Sequence, residues 1–151
     1  MRLVIQRSLE SSVEVAGTVV GKIPYGVVVL VGFTEKDTEK EIKYLAEKLV
    51  NLRIFDDENG VMNKSLLDIG GSILSISQFT LYADARKGRR PNYIKALNGE
   101  KAKILYDKWN NQLKSLNVEV ETGIFGAEMK VKITNDGPVT ISLEKEGNKN
   151  G

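Results

Sequence analysis

Val27-Val28-Val29-Leu30-Val31-Gly32-Phe33 is a continuous apolar run, set off from the preceding chain by Pro24-Tyr25-Gly26. A strand with one wet face would alternate apolar and polar side chains. An unbroken, largely β-branched run instead predicts a strand buried on both faces, at the centre of the core. Toward the N-terminus, Arg2 to Ser8, Ser12 to Ala16 and Thr18 to Ile23 read as further strands, the last two joined by a turn at Gly17. Toward the C-terminus, a helix is predicted to start near Thr38, whose hydroxyl can cap the orphan N–H groups while Glu41 reaches back. Ile42, Leu45, Ala46 and Leu49 then recur at helical spacing as one apolar stripe.

Further along, Leu52-Arg53-Ile54-Phe55 reads as a strand and Asp56-Asp57-Glu58-Asn59-Gly60 as a polar turn. An EF-hand loop would need Gly sixth and Glu twelfth, whereas counting from Asp56 Gly60 is fifth and Leu67 twelfth. Gly70-Gly71 reads as another turn, and an apolar strand begins at Ser72. Pro91 interrupts regular structure, and a helical turn is expected at Tyr93 to Leu97. A longer helix, capped by Asn98, runs from Gly99 to Leu116, with Ala102, Leu105, Tyr106, Trp109, Leu113 and Leu116 on one face. Val118 to Val120, Ile124 to Ala127, Met129 to Thr134 and Val139 to Leu143 supply the remaining strands. Many strands with two main helices predict an α+β domain, a curved, barrel-like mixed sheet with both helices packed outside. Residues 1–144 form this single domain, and the polar stretch 145–151 is expected to be a flexible tail.

Composition excludes more chemistry than it suggests. The 151 residues include neither cysteine nor histidine. That removes disulfides, thiol nucleophiles, thiolate and imidazole metal sites, the Ser-His-Asp triad and imidazole general bases. Any chemistry must use hydroxyls, carboxylates, lysines, backbone dipoles or the substrate's own groups, and no cofactor or metal is implied. Lys plus Arg number 22 against 20 for Asp plus Glu, so a nucleic-acid partner would be gripped through a local patch. No apolar run approaches the ~18 residues of a membrane span, and the N-terminus lacks a signal peptide's apolar core, which predicts a cytoplasmic protein.

Two segments carry chemistry. Ser77-Gln78-Phe79-Thr80-Leu81 ends the strand from Ser72 and leads through Tyr82-Ala83-Asp84 into a basic cluster at Arg86, Lys87, Arg89 and Arg90. A hydroxyl, an amide and free backbone N–H groups beside a basic loop could hold a polar reacting group and a phosphate. An amphipathic strand whose Ser and Thr face water has the same pattern. Near the C-terminus, Asn135-Asp136-Gly137-Pro138-Val139-Thr140 has turn chemistry between two strand-like runs.

Together the two segments resemble the signature pair of the D-aminoacyl-tRNA deacylase family. Met1-Arg2-Leu3-Val4-Ile5-Gln6-Arg7, Asn51-Leu52-Arg53-Ile54-Phe55, Lys87-Gly88-Arg89-Arg90-Pro91 and Thr122-Gly123-Ile124-Phe125-Gly126-Ala127-Glu128-Met129 also fit, so the resemblance spans nearly the whole chain. It implies a homodimer that hydrolyses the ester between a D-amino acid and the terminal ribose of tRNA, and glycyl esters in part. It places the backbone amides of Gln78 and Phe79 at the reacting carbonyl, with Thr80 completing the catalytic segment. Ser77, Phe125 and Met129 become substrate-binding positions. Gly137-Pro138 is expected to be a cis dipeptide that enters the partner's active site, with Arg7 holding its orientation; a trans turn at a hairpin end and a surface arginine are the ordinary alternatives. Lys87, Arg89 and Arg90 are candidates for the phosphates of the tRNA 3′ end. Two other functions stay open: an acyl-ester hydrolase with Thr80 as covalent nucleophile, and a non-catalytic tRNA-binding module.

Overall fold

A computed structural model describes residues 1–147. In chain order the elements are β1 (Arg2–Ser8), β2 (Ser11–Val15), β3 (Thr18–Ile23), β4 (Gly26–Gly32), α1 (Glu39–Asn51), β5 (Phe55–Asp56), β6 (Met62–Lys64), α2 (Leu66–Ile69), β7 (Ser72–Ser77), a 3-10 turn (Phe79–Tyr82), α3 (Gly99–Ser115), β8 (Glu119–Thr122), β9 (Lys130–Lys132) and β10 (Asn135–Glu144). The apolar run of β4 is the middle strand of a five-stranded sheet ordered β10-β1-β4-β7-β8. β1 is antiparallel to both its neighbours, whereas β4, β7 and β8 run parallel. Parallel neighbours need long crossovers, which α1 with α2 and then α3 supply.

Burial on both faces of β4 follows from what lies on each side. Val27, Val29 and Val31 join Leu3, Ile5, Ile42, Leu45, Leu49, Trp109 and Leu113 in the larger core under α1 and α3. Val28 points the other way, with Val13, Ile23, Leu74 and Ile76, toward a three-stranded sheet ordered β3-β2-β9. The helices begin where their caps predict. Thr38 N–H donates to the Glu41 carboxylate at 2.6 Å, and Asn98 Oδ1 accepts from Lys101 N–H at 3.1 Å.

The strands depart from the barrel expectation: the fold is mixed α+β, but its strands divide among three sheets and do not close into one. The 52–55 strand shrinks to Phe55, which pairs with Lys64 in a small hairpin, while Asp57 accepts from Asn59 and Val61 N–H groups in the turn. Before Gly70 the chain forms the four-residue helix α2, capped reciprocally by Ser65 and Asp68. Tyr93 to Leu97 makes one turn, closed by Ala96 N–H donating to Tyr93 O, and Ile124 to Ala127 is likewise a turn. The expected tail is described only to Gly147. Lys145 pairs with Met1 through its N–H and its carbonyl, and residues 148–151 lie outside the described residues.

Candidate active site

The strand carrying Ser77 stops there, and this decides the geometry of the site. β7 pairs with β4 up to Ser77 opposite Val31, after which Gln78 N–H donates to Val31 O at 2.8 Å. The next four residues wind into the 3-10 turn, so Phe79 to Leu81 do not continue the strand. Gly32 makes room for this turn, since a Cβ there would lie 2.9 Å from Gln78 O and 3.1 Å from Leu81 Cβ.

The change of conformation frees backbone donors. The first N–H groups of a helical turn have no acceptor within it. Phe79 and Thr80 hold these positions, whereas the Gln78 N–H is spent on Val31. Of the two amides that the resemblance places at the reacting carbonyl, Phe79 N–H has no acceptor among the described residues, whereas Gln78 N–H donates to Val31 O. The side chain of Gln78 instead donates through Nε2 to Thr80 Oγ1.

Beside the turn lies a cavity of about 500 Å³. Its wall includes Ser77, Gln78 and Phe79 from the turn, Gly99 and Ala102 from the start of α3, and Phe125, Ala127 and Met129 from the 124–129 turn. Phe125 packs on Tyr106 with ring centroids 5.9 Å apart, and the Tyr106 hydroxyl donates to Ser75 O at 2.7 Å, tying α3 to β7. Met129 lies where a side chain at Gly123 would otherwise be; a Cβ on that glycine would collide with its sulfur. None of the residues lining this cavity is ionisable.

The basic loop follows the 3-10 turn in the chain, and none of its residues is among those lining the cavity. Asp84 and Asn92 exchange backbone hydrogen bonds at 2.8 and 2.9 Å and close its base. Lys87, Arg89 and Arg90 are exposed and form no ion pair among the described residues. Arg86 differs: it pairs with Asp84 at 2.8 Å, and that hydrogen bond pulls the Asp84 carboxyl down to about 2. Phe79 and Tyr93, both partly exposed, meet edge to face at 5.2 Å beside the loop.

The second signature segment lies elsewhere in the same chain. Gly137-Pro138 is a cis dipeptide within β10. Arg7 is buried beside it, its Nε 3.2 Å from the Asp136 carboxylate and its Nη1 donating to Ile54 O at 2.8 Å. The register places Pro138 beyond the Gln6 and Leu74 level, whereas Thr80 lies beyond Ser77 at the opposite end of the sheet. The 3-10 turn crosses the end of β4 toward β1, where Arg2 Nη1 donates to Leu81 O at 2.9 Å, so the two segments are separated along the strands, by at least three residues or about 10 Å. One chain thus brings Ser77, Gln78, Phe79, Phe125 and Met129 together, and leaves Gly137, Pro138 and Arg7 apart from them.

These features define a class of protein: an α+β domain with a pocket of uncharged lining, backbone donors at its edge and an exposed basic loop next along the chain. The family model described as D-Tyr-tRNA(Tyr) deacylase matches residues 4–144, and the chain belongs to that family. A Clostridium botulinum D-aminoacyl-tRNA deacylase is 60% identical over 144 residues, covering 95% of this chain and 97% of the relative. A Bacillus velezensis D-aminoacyl-tRNA deacylase is 56% identical over 146 residues, covering 97% and 99%. A solved structure of a c-Myc DNA unwinding element binding protein superposes with TM-score 0.91 at 40% identity, over 96% of this chain and 99% of that one. A probable eukaryotic D-amino acid tRNA deacylase shares the fold at TM-score 0.83 and 18% identity, over 94% and 97% of the two chains.

Proposed function

We propose that this chain hydrolyses the ester joining a D-amino acid to the terminal ribose of tRNA, as a proofreading step in translation, working as a homodimer in the cytoplasm. The observation that carries the reading is the Phe79 N–H at the head of the 3-10 turn, with no acceptor among the described residues, beside a pocket with no ionisable lining. An aminoacyl ester is already activated. What it requires is a placed water and a donor for the tetrahedral oxyanion, and a backbone N–H serves the second need.

Thr80 is poorly set up as a nucleophile. A threonine hydroxyl needs an adjacent base, and the side chain that meets it, the Gln78 carboxamide, is not one. It is better suited to orient the ester, while the neighbouring ribose 2′-hydroxyl activates water. Ser77, Phe125 and Met129 shape the space around the terminal nucleoside and the acyl group. Covalent labelling of Thr80 by an activated ester would instead favour a nucleophilic mechanism.

The separation of the two signature segments within one chain supports a site completed by a second copy. Gly137-Pro138 of one protomer enters the pocket of the other, with its carbonyl oxygens toward the substrate's α-ammonium. With ammonium and ester both fixed, an L side chain is driven into the Gly-Pro backbone while a D side chain points to solvent. Glycine, having no side chain, is only partly rejected.

The deciding experiment is incubation with matched D-tyrosyl-tRNA and L-tyrosyl-tRNA, with selective loss of the D ester as the expected result. Equal binding of charged and uncharged tRNA with no amino acid released would leave a non-catalytic binding module. For the basic loop, the triple alanine variant of Lys87, Arg89 and Arg90 is expected to weaken tRNA binding and to flatten the slope of log affinity against log salt by roughly 0.7–0.9 per lost phosphate contact. An unchanged slope would remove the loop from the interface. Arg86→Ala should change the slope least, because Asp84 already neutralises that guanidinium.

A further inference from the structure

β1 and β10 pair in register from Arg2 opposite Glu144 to Gln6 opposite Thr140, and pairing resumes at Ser8 opposite Asn135. Between those points β1 has only Arg7, whereas β10 has Asp136, Gly137, Pro138 and Val139. The surplus residues must leave the sheet, so Gly137-Pro138 rides on a large bulge. A bulge interrupts the ladder, and the backbone groups it strands need other partners. Asn135 provides them. Its Nδ2 donates to Arg7 O at 2.9 Å and to Val139 O at 3.0 Å, joining the strand opposite the bulge to the bulge's far end. Its Oδ1 accepts from the Thr140 hydroxyl at 3.3 Å, and that hydroxyl accepts from Gln6 Nε2 at 3.1 Å. Two carbonyls on one side of the amide and a hydroxyl on the other leave a single consistent orientation.

We propose that Asn135 is a positioning residue for stereospecificity: its carboxamide closes the base of the bulge, holds Gly137-Pro138 at a fixed height and so sets the discrimination between D and L esters. The inference rests on the reading in which that dipeptide screens the substrate's α-carbon. Sequence alone gives Asn135 an ordinary turn role, because its two acceptors become neighbours only when β1 and β10 pair.

Asn135→Asp tests the clamp, since a carboxylate keeps the size but donates to neither carbonyl. With both hydrogen bonds gone, the ratio of kcat/KM for D-tyrosyl-tRNA over L-tyrosyl-tRNA is expected to fall at least about tenfold. The loss on the D ester should appear as a raised KM, with kcat within about threefold of wild type because the backbone donor at Phe79 is untouched. Independently of activity, hydrogen exchange in the paired β1 and β10 segments flanking the bulge, at Gln6, Ser8 and Thr140, should accelerate while β4 amides keep wild-type rates. Should Asn135→Asp not fold, Thr140→Val removes the hydroxyl that donates to Oδ1; it should lower the ratio about threefold and loosen the same amides. A folded Asn135→Asp protein, or Thr140→Val where only that folds, with wild-type selectivity or wild-type exchange in the segments flanking the bulge overturns the proposal. Wild-type protein that leaves D-tyrosyl-tRNA intact overturns the reading beneath it, and shows itself before any variant is assayed.

Discussion

D-tyrosyl-tRNA ending in 2′-deoxyadenosine is expected to be hydrolysed at least ~100-fold more slowly than the ribose-ended substrate, the lower end of what general acid–base catalysis contributes. The expectation follows from what surrounds the pocket. The chain has no histidine or cysteine, and none of the pocket-lining side chains ionises. Asp84, at the base of the neighbouring loop, is committed to Arg86 and held at about 2, too weak a base to activate water at neutral pH. In the mechanism proposed above the proton acceptor arrives with the substrate, whose 2′-hydroxyl adjoins the ester. Single-turnover rates at saturating enzyme separate this loss from a loss of binding. Equal rates for the two substrates would move the base back onto the protein.

Phe79→Pro is expected to reduce kcat by ~10²–10³ relative to Phe79→Ala, the usual cost of losing one oxyanion donor. Proline deletes the N–H, and its fixed φ suits the first position of a helical turn. Gln78, at φ −144°, already has the extended φ favoured before proline. The alanine variant loses the same aromatic ring, including its contact with Tyr93, so the comparison isolates the replacement of the backbone N–H by the proline ring. Equal kcat values would place the oxyanion elsewhere. The same variant also tests the shared site. Gly137→Val should displace the dipeptide, because Gly137 has φ +121° and a Cβ there would meet Val139 N at 2.9 Å. Random mixing of the two inactive proteins makes half the dimers mixed, each with one intact site, so about a quarter of wild-type activity should return. Mixtures that stay inactive would confine each site to a single chain.

How much of this was legible in the sequence depended on the range of the interaction. The unbroken apolar run 27–33, the Thr38 and Glu41 capping box and the Asn98 cap are local, and the structure has all three as read. Helix α2 was missed because four residues are too few to display a period. The separation of β2, β3 and β9 from the main sheet depends on pairings far apart in sequence, which no local pattern encodes. Within the site, Ser77, Gln78 and Phe79 of the first signature segment line the pocket while Thr80 and Leu81 are not among its lining residues, and the commitment of Gln78 N–H to Val31 appears only once β7 lies beside β4. The neutralised Arg86 was readable, since Asp84 stands two residues before it.

The close seat of Met129 against Gly123 has a consequence for how such a pocket fails. Its walls contain no thiol, imidazole or amine for an electrophile to capture, so the reagents that disable cysteine hydrolases find no target there. The thioether of Met129 is a different kind of target, because peroxide converts it to a polar, chiral sulfoxide. The sulfur already occupies the space that a side chain on Gly123 would need, so an added oxygen has little room on that side, and Met129 is part of the cavity wall. Oxidative stress would then act on this protein as a steric and polar block of its acyl pocket, reversible by a methionine sulfoxide reductase.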